Sequence, residues 1–239
     1  MQNLYQNILQ AKKNCQKLLA ILIDPEKVSI EKAIVLSNKI KESPATHIFV
    51  GGSTFSGTHL DELISVIKTI TQLPVLIFPG HPYQISNAAD GILFLSLLSG
   101  RNPEYLIEHH INSVEVLERS DLEIIPTGYL LIDGGIETAV QRVSQTQPID
   151  RNNMELVYKT AKAGEFLGKK LIYLEAGSGA NQHVSLEMIR FVSQNIQIPL
   201  IVGGGIRTIG MIKAVQNAGA DLVVIGTAFE KDTNFFDYD

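Results

Sequence analysis

The chain has one cysteine, Cys15, and no tryptophan among its 239 residues. A single cysteine excludes an intrachain disulfide and any cysteine-built zinc centre, and it suits a reducing compartment. No apolar run approaches the ~18 residues that suggest a bilayer span. The longest, from Gly91 to Leu98, has the length of a buried strand. The opening Met1-Gln-Asn-Leu-Tyr-Gln-Asn lacks the apolar core of a signal peptide. Positive charge is also scarce, with 20 Lys and Arg against 25 Asp and Glu. A chain of that balance has no general basic face for nucleic acid. Together these absences lead us to expect a cytoplasmic protein with no membrane span and no nucleic-acid partner.

What is present is a regular alternation of short apolar runs with amphipathic helical stretches, the pattern of βα units and a parallel sheet. Eight strands are predicted: Leu18–Ile23, Thr46–Val50, Val75–Phe78, Gly91–Leu97, Glu123–Ile132, Leu171–Leu174, Leu200–Val202 and Leu222–Ile225. Helices are predicted at Ile30–Lys41, Asp61–Gln72, Pro103–Leu117, Met154–Leu167, Ser185–Asn195 and Thr208–Ala218. The length matches one (β/α)₈ barrel, typically ~250 residues, so residues 1–239 are read as a single domain with no linker or low-complexity segment. Two links break the rhythm. Pro79–Asp90, between the third and fourth strands, is too short for a helix with two loops, so the outer ring should be thin or open there. Beyond the eighth strand only Lys231–Asp239 remains, so the last helix should be short or absent. The link from Asp133 to Lys170 is instead long, with a hinge-like Gln147-Pro-Ile-Asp-Arg151.

Three late strands run into small residues, at Glu175-Ala-Gly-Ser-Gly179, Gly203-Gly-Gly-Ile-Arg207 and Gly226-Thr-Ala-Phe-Glu230. Glycine lets backbone approach a ligand closely, and adjacent turns of this kind at the top of a barrel make a phosphate site. Other strand ends carry further candidates. Asp24, in Asp-Pro-Glu-Lys27, suits a hard cation such as Mg²⁺, and equally suits capping a helix that starts with proline. Ser53 and Thr54 suit an anion or a metal-bound diphosphate, or a plain helix-entry turn. Asp133 is either a site carboxylate or the aspartate of an Asp-Gly turn. Tyr173 and Glu175 alternate and so share a face. Two polar groups facing inward on an apolar strand are hard to explain as core, and Glu175 suits a base or an acceptor for a polyol hydroxyl. Arg207 either backs the phosphate turn or makes a surface salt bridge. The six histidines form no metal cluster. Adjacent His109 and His110 should point apart, and surface or capping roles are expected for all but His81, which sits in the short link. No nucleophile–base pair stands out, so chemistry without a strong protein nucleophile fits better, for example metal-assisted departure of a diphosphate.

Leu22-Ile-Asp-Pro-Glu-Lys27, Val50-Gly-Gly-Ser-Thr54, Phe78-Pro-Gly80, Gly100-Arg-Asn-Pro-Glu-Tyr105, Tyr173-Leu-Glu-Ala-Gly-Ser-Gly179, Gly203-Gly-Gly-Ile-Arg207 and Gly226-Thr-Ala-Phe-Glu230 together resemble the geranylgeranylglyceryl phosphate synthase family, of which the heptaprenylglyceryl phosphate synthases are close kin. Leu95 to Tyr105 resembles the geranylgeranyl branch more. The resemblance implies a modified TIM barrel lacking a regular third helix, in agreement with the short Pro79–Asp90 link. It implies a Mg²⁺-dependent prenyltransferase joining a geranylgeranyl diphosphate to the C3 hydroxyl of sn-glycerol 1-phosphate. By the same resemblance Asp24 and Ser53 hold the metal. Tyr173, Leu174, Glu175, Ala176, Gly177, Ser178, Gly179, Gly204, Gly205, Gly226 and Thr227 bind the acceptor. The prenyl tail would lie in the apolar opening left by the missing helix. Glu175 and Tyr173 are expected to be catalytic, and a homo-oligomer is expected. The chain departs from the pattern at His81-Pro82 and at Ile136-Glu137, where a basic residue would help to hold diphosphate. The residues alone leave open a heptaprenyl donor, a phosphate-binding isomerase or lyase, and a catalytically silent phosphate-sensing barrel.

Overall fold

In the computed structural model, which describes residues 3–52 and 59–237, eight parallel strands close into a barrel in sequence order. They are β1 (Leu18–Ile23), β2 (His47–Val50), β3 (Val75–Ile77), β4 (Gly91–Leu97), β5 (Glu123–Leu131), β6 (Leu171–Glu175), β7 (Leu200–Gly203) and β8 (Leu222–Ile225). Closure pairs Leu18 with Leu222 and Ile21 with Ile225. Helices α1 (Leu4–Lys13), α2 (Ile30–Lys41), α3 (Leu60–Thr71), α4 (His109–Leu117), α5 (Ala139–Ser144), α6 (Met154–Phe166), α7 (Leu186–Asn195), α8 (Ile209–Ala218) and α9 (Thr227–Lys231) complete the described elements. Strand and helix limits lie within one residue of those expected, except that the helix expected at Pro103–Leu117 opens with a π-helical turn, Glu104–Glu108. Among the described residues, no helix is long and apolar enough to cross a membrane.

The period of two along each strand splits the apolar residues into two cores. Phe49, Leu76, Leu93, Tyr129, Leu131, Tyr173, Ile201 and Val224 fill the barrel interior. Their neighbours, such as Ile48, Val50, Ile77, Leu130, Leu174 and Val202, face the helices. With both faces covered, near-continuous apolar strands are what a parallel barrel requires.

The sequence offered no reading of α1, which lies across the N-terminal ends of the strands. Its Leu4, Ile8 and Ala11 join the interior core. The carboxylate of Glu123, at the start of β5, accepts hydrogen bonds from the N–H groups of Leu4 and Tyr5, and Asn3 caps Gln6. Those first-turn N–H groups have no partner within the helix, so capping fixes where it docks. Gly91 makes room for it: a Cβ there would meet Leu4 Cδ1 at 2.8 Å.

Residues 78–90, between β3 and β4, contain turns but no helix. Pro79 and Pro82 oppose one, and Gln84 replaces it as a tether. Its side chain accepts from Gly80 N at 2.8 Å and donates to Gly52 O at 2.9 Å. The expected hinge at Gln147–Arg151 is instead pinned. Ile149 N donates to Leu131 O and Asp133 N donates to Ile149 O, both at 2.9 Å, adding a short ninth rung beside β5. The last helix is short, five residues, and Phe236 packs back on Phe229 at 6.0 Å between ring centroids.

Because Ile8 is fully buried beneath the barrel, Ile8→Ala should lower unfolding free energy by about 2–5 kcal/mol in urea titrations. A loss below about 1 kcal/mol would mean that α1 does not seal the barrel floor.

Candidate active site

The C-terminal strand ends surround an open mouth, and Asp24, Gly52, Tyr173, Glu175, Ser178, Gly204, Gly205, Gly226 and Thr227 all line it. Strand parity decides which parts of the β6 segment reach it. Tyr173 and Glu175 point inward, whereas Leu174 and Ala176 pack among the outer core residues. As acceptor contacts, Leu174 and Ala176 can therefore offer only backbone. Asp133 does not line the mouth; its Oδ1 accepts from Gly135 N at 2.8 Å, so it belongs to the Asp-Gly turn. Ser53 and Thr54 lie outside the described residues.

Glu175 is buried at the bottom of the mouth, only 7% exposed. Its Oε1 accepts from Gly177 N at 2.7 Å. Loss of hydration pushes its carboxyl up to about 7, against hydrogen bonding from Tyr173 and Gly177 that favours the anion. The Tyr173 hydroxyl lies beside Glu175 but is not aligned for a full hydrogen bond, and it has no other partner among the described residues. A buried hydroxyl left so is suited to a substrate hydroxyl. Burial, and then the nearby Glu175, hold both Tyr173 and Tyr129 well above the usual tyrosine range, so both stay protonated.

The triple glycine that ends β7 and continues past it, Gly203 to Gly205, clears space for this pair. A Cβ on Gly203 would meet Tyr173 Oη at 2.5 Å and Glu175 Oε2 at 2.6 Å. On Gly204 it would meet Gly177 N at 2.6 Å and would also strike Glu175 Oε1. Beside it, α9 begins at Gly226 with no side chain capping its first turn, and the hydroxyls of Ser178 and Thr227 lie 3.1 Å apart. Backbone N–H groups and paired hydroxyls of this kind suit a phosphate. Arg207 makes no salt bridge among the described residues. It braces the cradle by donating to Ala180 O at 2.7 Å and Gly179 O at 3.4 Å.

On the β1 side, Asp24 Oδ1 accepts from Glu26 N at 3.1 Å and Oδ2 pairs with Lys27 at 2.7 Å. Lys27 also lies 3.8 Å from Glu230. Among the described residues no group of three or more His, Cys, Asp or Glu could hold a metal ion. Asp24, with Glu230 on the other side of Lys27, nonetheless fits Mg²⁺, which is commonly bound by one or two carboxylates plus substrate phosphates and water. Arg142, on α5, lines the mouth and lies 3.8 Å from Glu137.

An apolar groove leaves the mouth where the helix ring is open outside the paired strands β3 and β4, walled by Phe78, Pro79, Ile85, Phe94, Leu95 and Val143 among others. Its cavity volume in this structure is about 100 Å³. The π-helical turn brings Tyr105 to its wall, where the hydroxyl donates to Val143 O at 3.2 Å. The histidines depart from expectation. His109 and His110 both line this groove, His81 meets His109 at a 59° tilt with centroids 5.1 Å apart, and His110 meets Phe94 edge-on at 4.2 Å. His47 is buried on β2, and burial lowers it to about 4. His59 stands at the start of α3 without capping it, bonded instead to Pro25 O at 3.1 Å.

Fold and site together define a parallel (β/α)₈ barrel with a glycine-lined polar mouth and an apolar groove beside it. A family model described as the PcrB family matches residues 11–238. The geranylgeranylglyceryl phosphate synthase of Flavobacterium johnsoniae is 61% identical over 234 residues, covering 98% of this chain and 96% of that one. The synthase of the same name from Zunongwangia profunda is 56% identical over 223 residues, covering 93% and 95%. The crystal structure of (S)-3-O-geranylgeranylglyceryl phosphate synthase from Thermoplasma acidophilum, in complex with its substrate sn-glycerol-1-phosphate, superposes with a TM-score of 0.93 at 37% identity, covering 99% and 95%. This chain belongs to the PcrB family.

The burial of Glu175 has a thermodynamic signature. A carboxyl raised to about 7 in the folded state stays protonated there while its unfolded counterpart ionises above ~4.3, so wild type loses stability as pH rises through that window. Glu175→Gln removes this loss. In urea titrations its stability should gain on wild type between pH 5 and 8 by on the order of 3 kcal/mol. A constant difference across that range would contradict the burial.

Proposed function

We propose that this chain forms an ether between the geranylgeranyl chain of geranylgeranyl diphosphate and the C3 hydroxyl of sn-glycerol 1-phosphate, releasing diphosphate with the help of Mg²⁺. It is a prenyltransferase of the geranylgeranylglyceryl phosphate synthase type, as the relatives' names state. The observation that carries the reading is that the polar mouth and the apolar groove share the lining residues Gly52, Phe78, Tyr129 and Val140. A phosphate and a long hydrocarbon thus meet beside Glu175. An isomerase or lyase acting on a small phosphate has no use for such a groove.

In this reading the acceptor phosphate rests on the cradle of Gly204, Gly205, Gly226 and Thr227, with Ser178 beside it. The cradle spans the β7 and β8 ends, so the glycerol reaches towards β6 and sets its C3 hydroxyl between Tyr173 and Glu175. The prenyl chain occupies the groove, which places its diphosphate in the mouth near Asp24 and Arg142. Asp24, with Ser53, would hold Mg²⁺, whose charge would favour diphosphate as a leaving group. The bond from the allylic C1 to the diphosphate oxygen breaks and its electron pair leaves with the diphosphate. The C3 hydroxyl oxygen bonds to C1, and its proton passes to Glu175 Oε. Holding both partners in place supplies much of the rate, because the acceptor is a weak nucleophile made effectively intramolecular.

With both glycerol phosphate enantiomers and prenyl diphosphates of several lengths, the enzyme should form ether from sn-glycerol 1-phosphate and geranylgeranyl diphosphate. Chelator should abolish turnover and Mg²⁺ restore it. No ether from any pair, or equal use of both enantiomers, contradicts the reading. Glu175→Gln should cut kcat about 10²–10⁴-fold. In wild type kcat/KM should fall on the acid side of about pH 7, where Glu175 is protonated and cannot accept a proton. Near-normal turnover by the Gln variant would remove Glu175 from the proton transfer.

A further inference from the structure

Phe78, Tyr129 and Tyr173 form an aromatic cluster inside the mouth, with ring centroids 5.3–5.9 Å apart. Such a trio is ordinary packing in a barrel interior. Two of its members differ from the third: Phe78 and Tyr129 line both the mouth and the groove, whereas Tyr173 lines the mouth alone. Phe78 follows β3 at the rim, and its backbone is locked in place. Its N–H donates to Val50 O at 2.9 Å. Its carbonyl oxygen also occupies space that any Cβ on Gly51 would need.

We propose that Phe78 and Tyr129 are the seat of the allylic carbon, two aromatic rings that stabilise the positive charge developing at C1 as diphosphate departs. The proposal rests on the prenyltransferase reading. A chain in the groove with its diphosphate in the mouth must pass C1 through the junction, whose four shared residues are two rings, Val140 and Gly52. None of these four carries a formal charge. The negative face of an aromatic ring is therefore the feature there that can favour a cation, and it does so most strongly where water is excluded. As the C1–O bond breaks, its electrons go to diphosphate and the charge left on C1 and its allylic partner lies against the rings. Bonding to the acceptor oxygen then discharges it. The rings form no bond and exchange no proton.

Successive fluorination of a ring weakens its attraction for a cation while barely altering its shape. With phenylalanine, 4-fluoro-, 3,5-difluoro- and 3,4,5-trifluorophenylalanine placed at position 78, log kcat should fall stepwise with fluorine count while donor KM stays within about threefold. Tyr129→Leu should lower kcat about 30-fold, equivalent to about 2 kcal/mol at 1.36 kcal/mol per decade, and Tyr129→Phe should recover most of that loss. A flat fluorination series, or a Tyr129→Phe enzyme as slow as Tyr129→Leu, overturns the proposal. Ether formation by the wild-type enzyme is measured alongside. Its absence defeats the prenyltransferase reading, whereas its presence with a flat series defeats only the ring seat.

Discussion

Placing one carboxyl, Glu175, in a dry strand end is the constraint around which the mouth is arranged. Removing a carboxylate from water is costly, and the group responds by holding its proton to about pH 7. What keeps the cost tolerable is local: one N–H from Gly177 and the neighbouring Tyr173 hydroxyl. The bare backbone of Gly203 and Gly204 is a condition of that arrangement, since a methyl group on either would occupy the space of the carboxyl. In the proposed mechanism, the turn that would offer backbone to a phosphate therefore also makes room for the base, and this shared geometry would couple acceptor binding to proton acceptance.

The second determinant is a missing piece. A regular barrel would place a helix between β3 and β4, and its apolar face would fill the space that is here a groove. The chain forgoes that packing. The hydrogen bonds of Gln84 to Gly80 and Gly52 keep the link in place without a helix. On the opposite wall, the pinned segment around Ile149 and the capped α5 hold Val140 and Val143 against the groove. In the proposed reading, opening one side of the helix ring gives the mouth end of the barrel room for a prenyl chain while the glycine-rich turns stay as they are.

Much of this was legible before any coordinates. Strand positions followed from apolar runs bounded by glycine and proline, because both faces of a parallel strand are buried. The inward direction of Tyr173 and Glu175 followed from period two, and the absent helix from chain length alone. The same parity argument would have excluded the Leu174 side chain from the mouth. Other features were not legible, for physical reasons. The helix α1 is short and has a polar face, and nothing local says that it seals the barrel floor. Tyr129 resembles Tyr173 in sequence pattern, an inward hydroxyl on an apolar strand, and was readable in principle. Its importance depends on a groove formed by residues far apart in the chain. Arg142 lines the mouth from α5, a placement that chain order alone does not give. The π-helical turn before α4 sets which way that helix presents His109 and His110, and regular helical spacing from Pro103 does not give it.

The central claim is that a polar mouth and an apolar groove bring acceptor hydroxyl and allylic carbon together beside Glu175. The most direct measurement is a crystal structure with sn-glycerol 1-phosphate, Mg²⁺ and the thio-linked, unreactive analogue of geranylgeranyl diphosphate. The account predicts the C3 hydroxyl within about 2.6–3.2 Å of Glu175, the chain lying in the gap in the helix ring outside β3 and β4, and C1 against Phe78 and Tyr129. A chain lodged outside that gap, or a C3 hydroxyl turned away from Glu175, would contradict it.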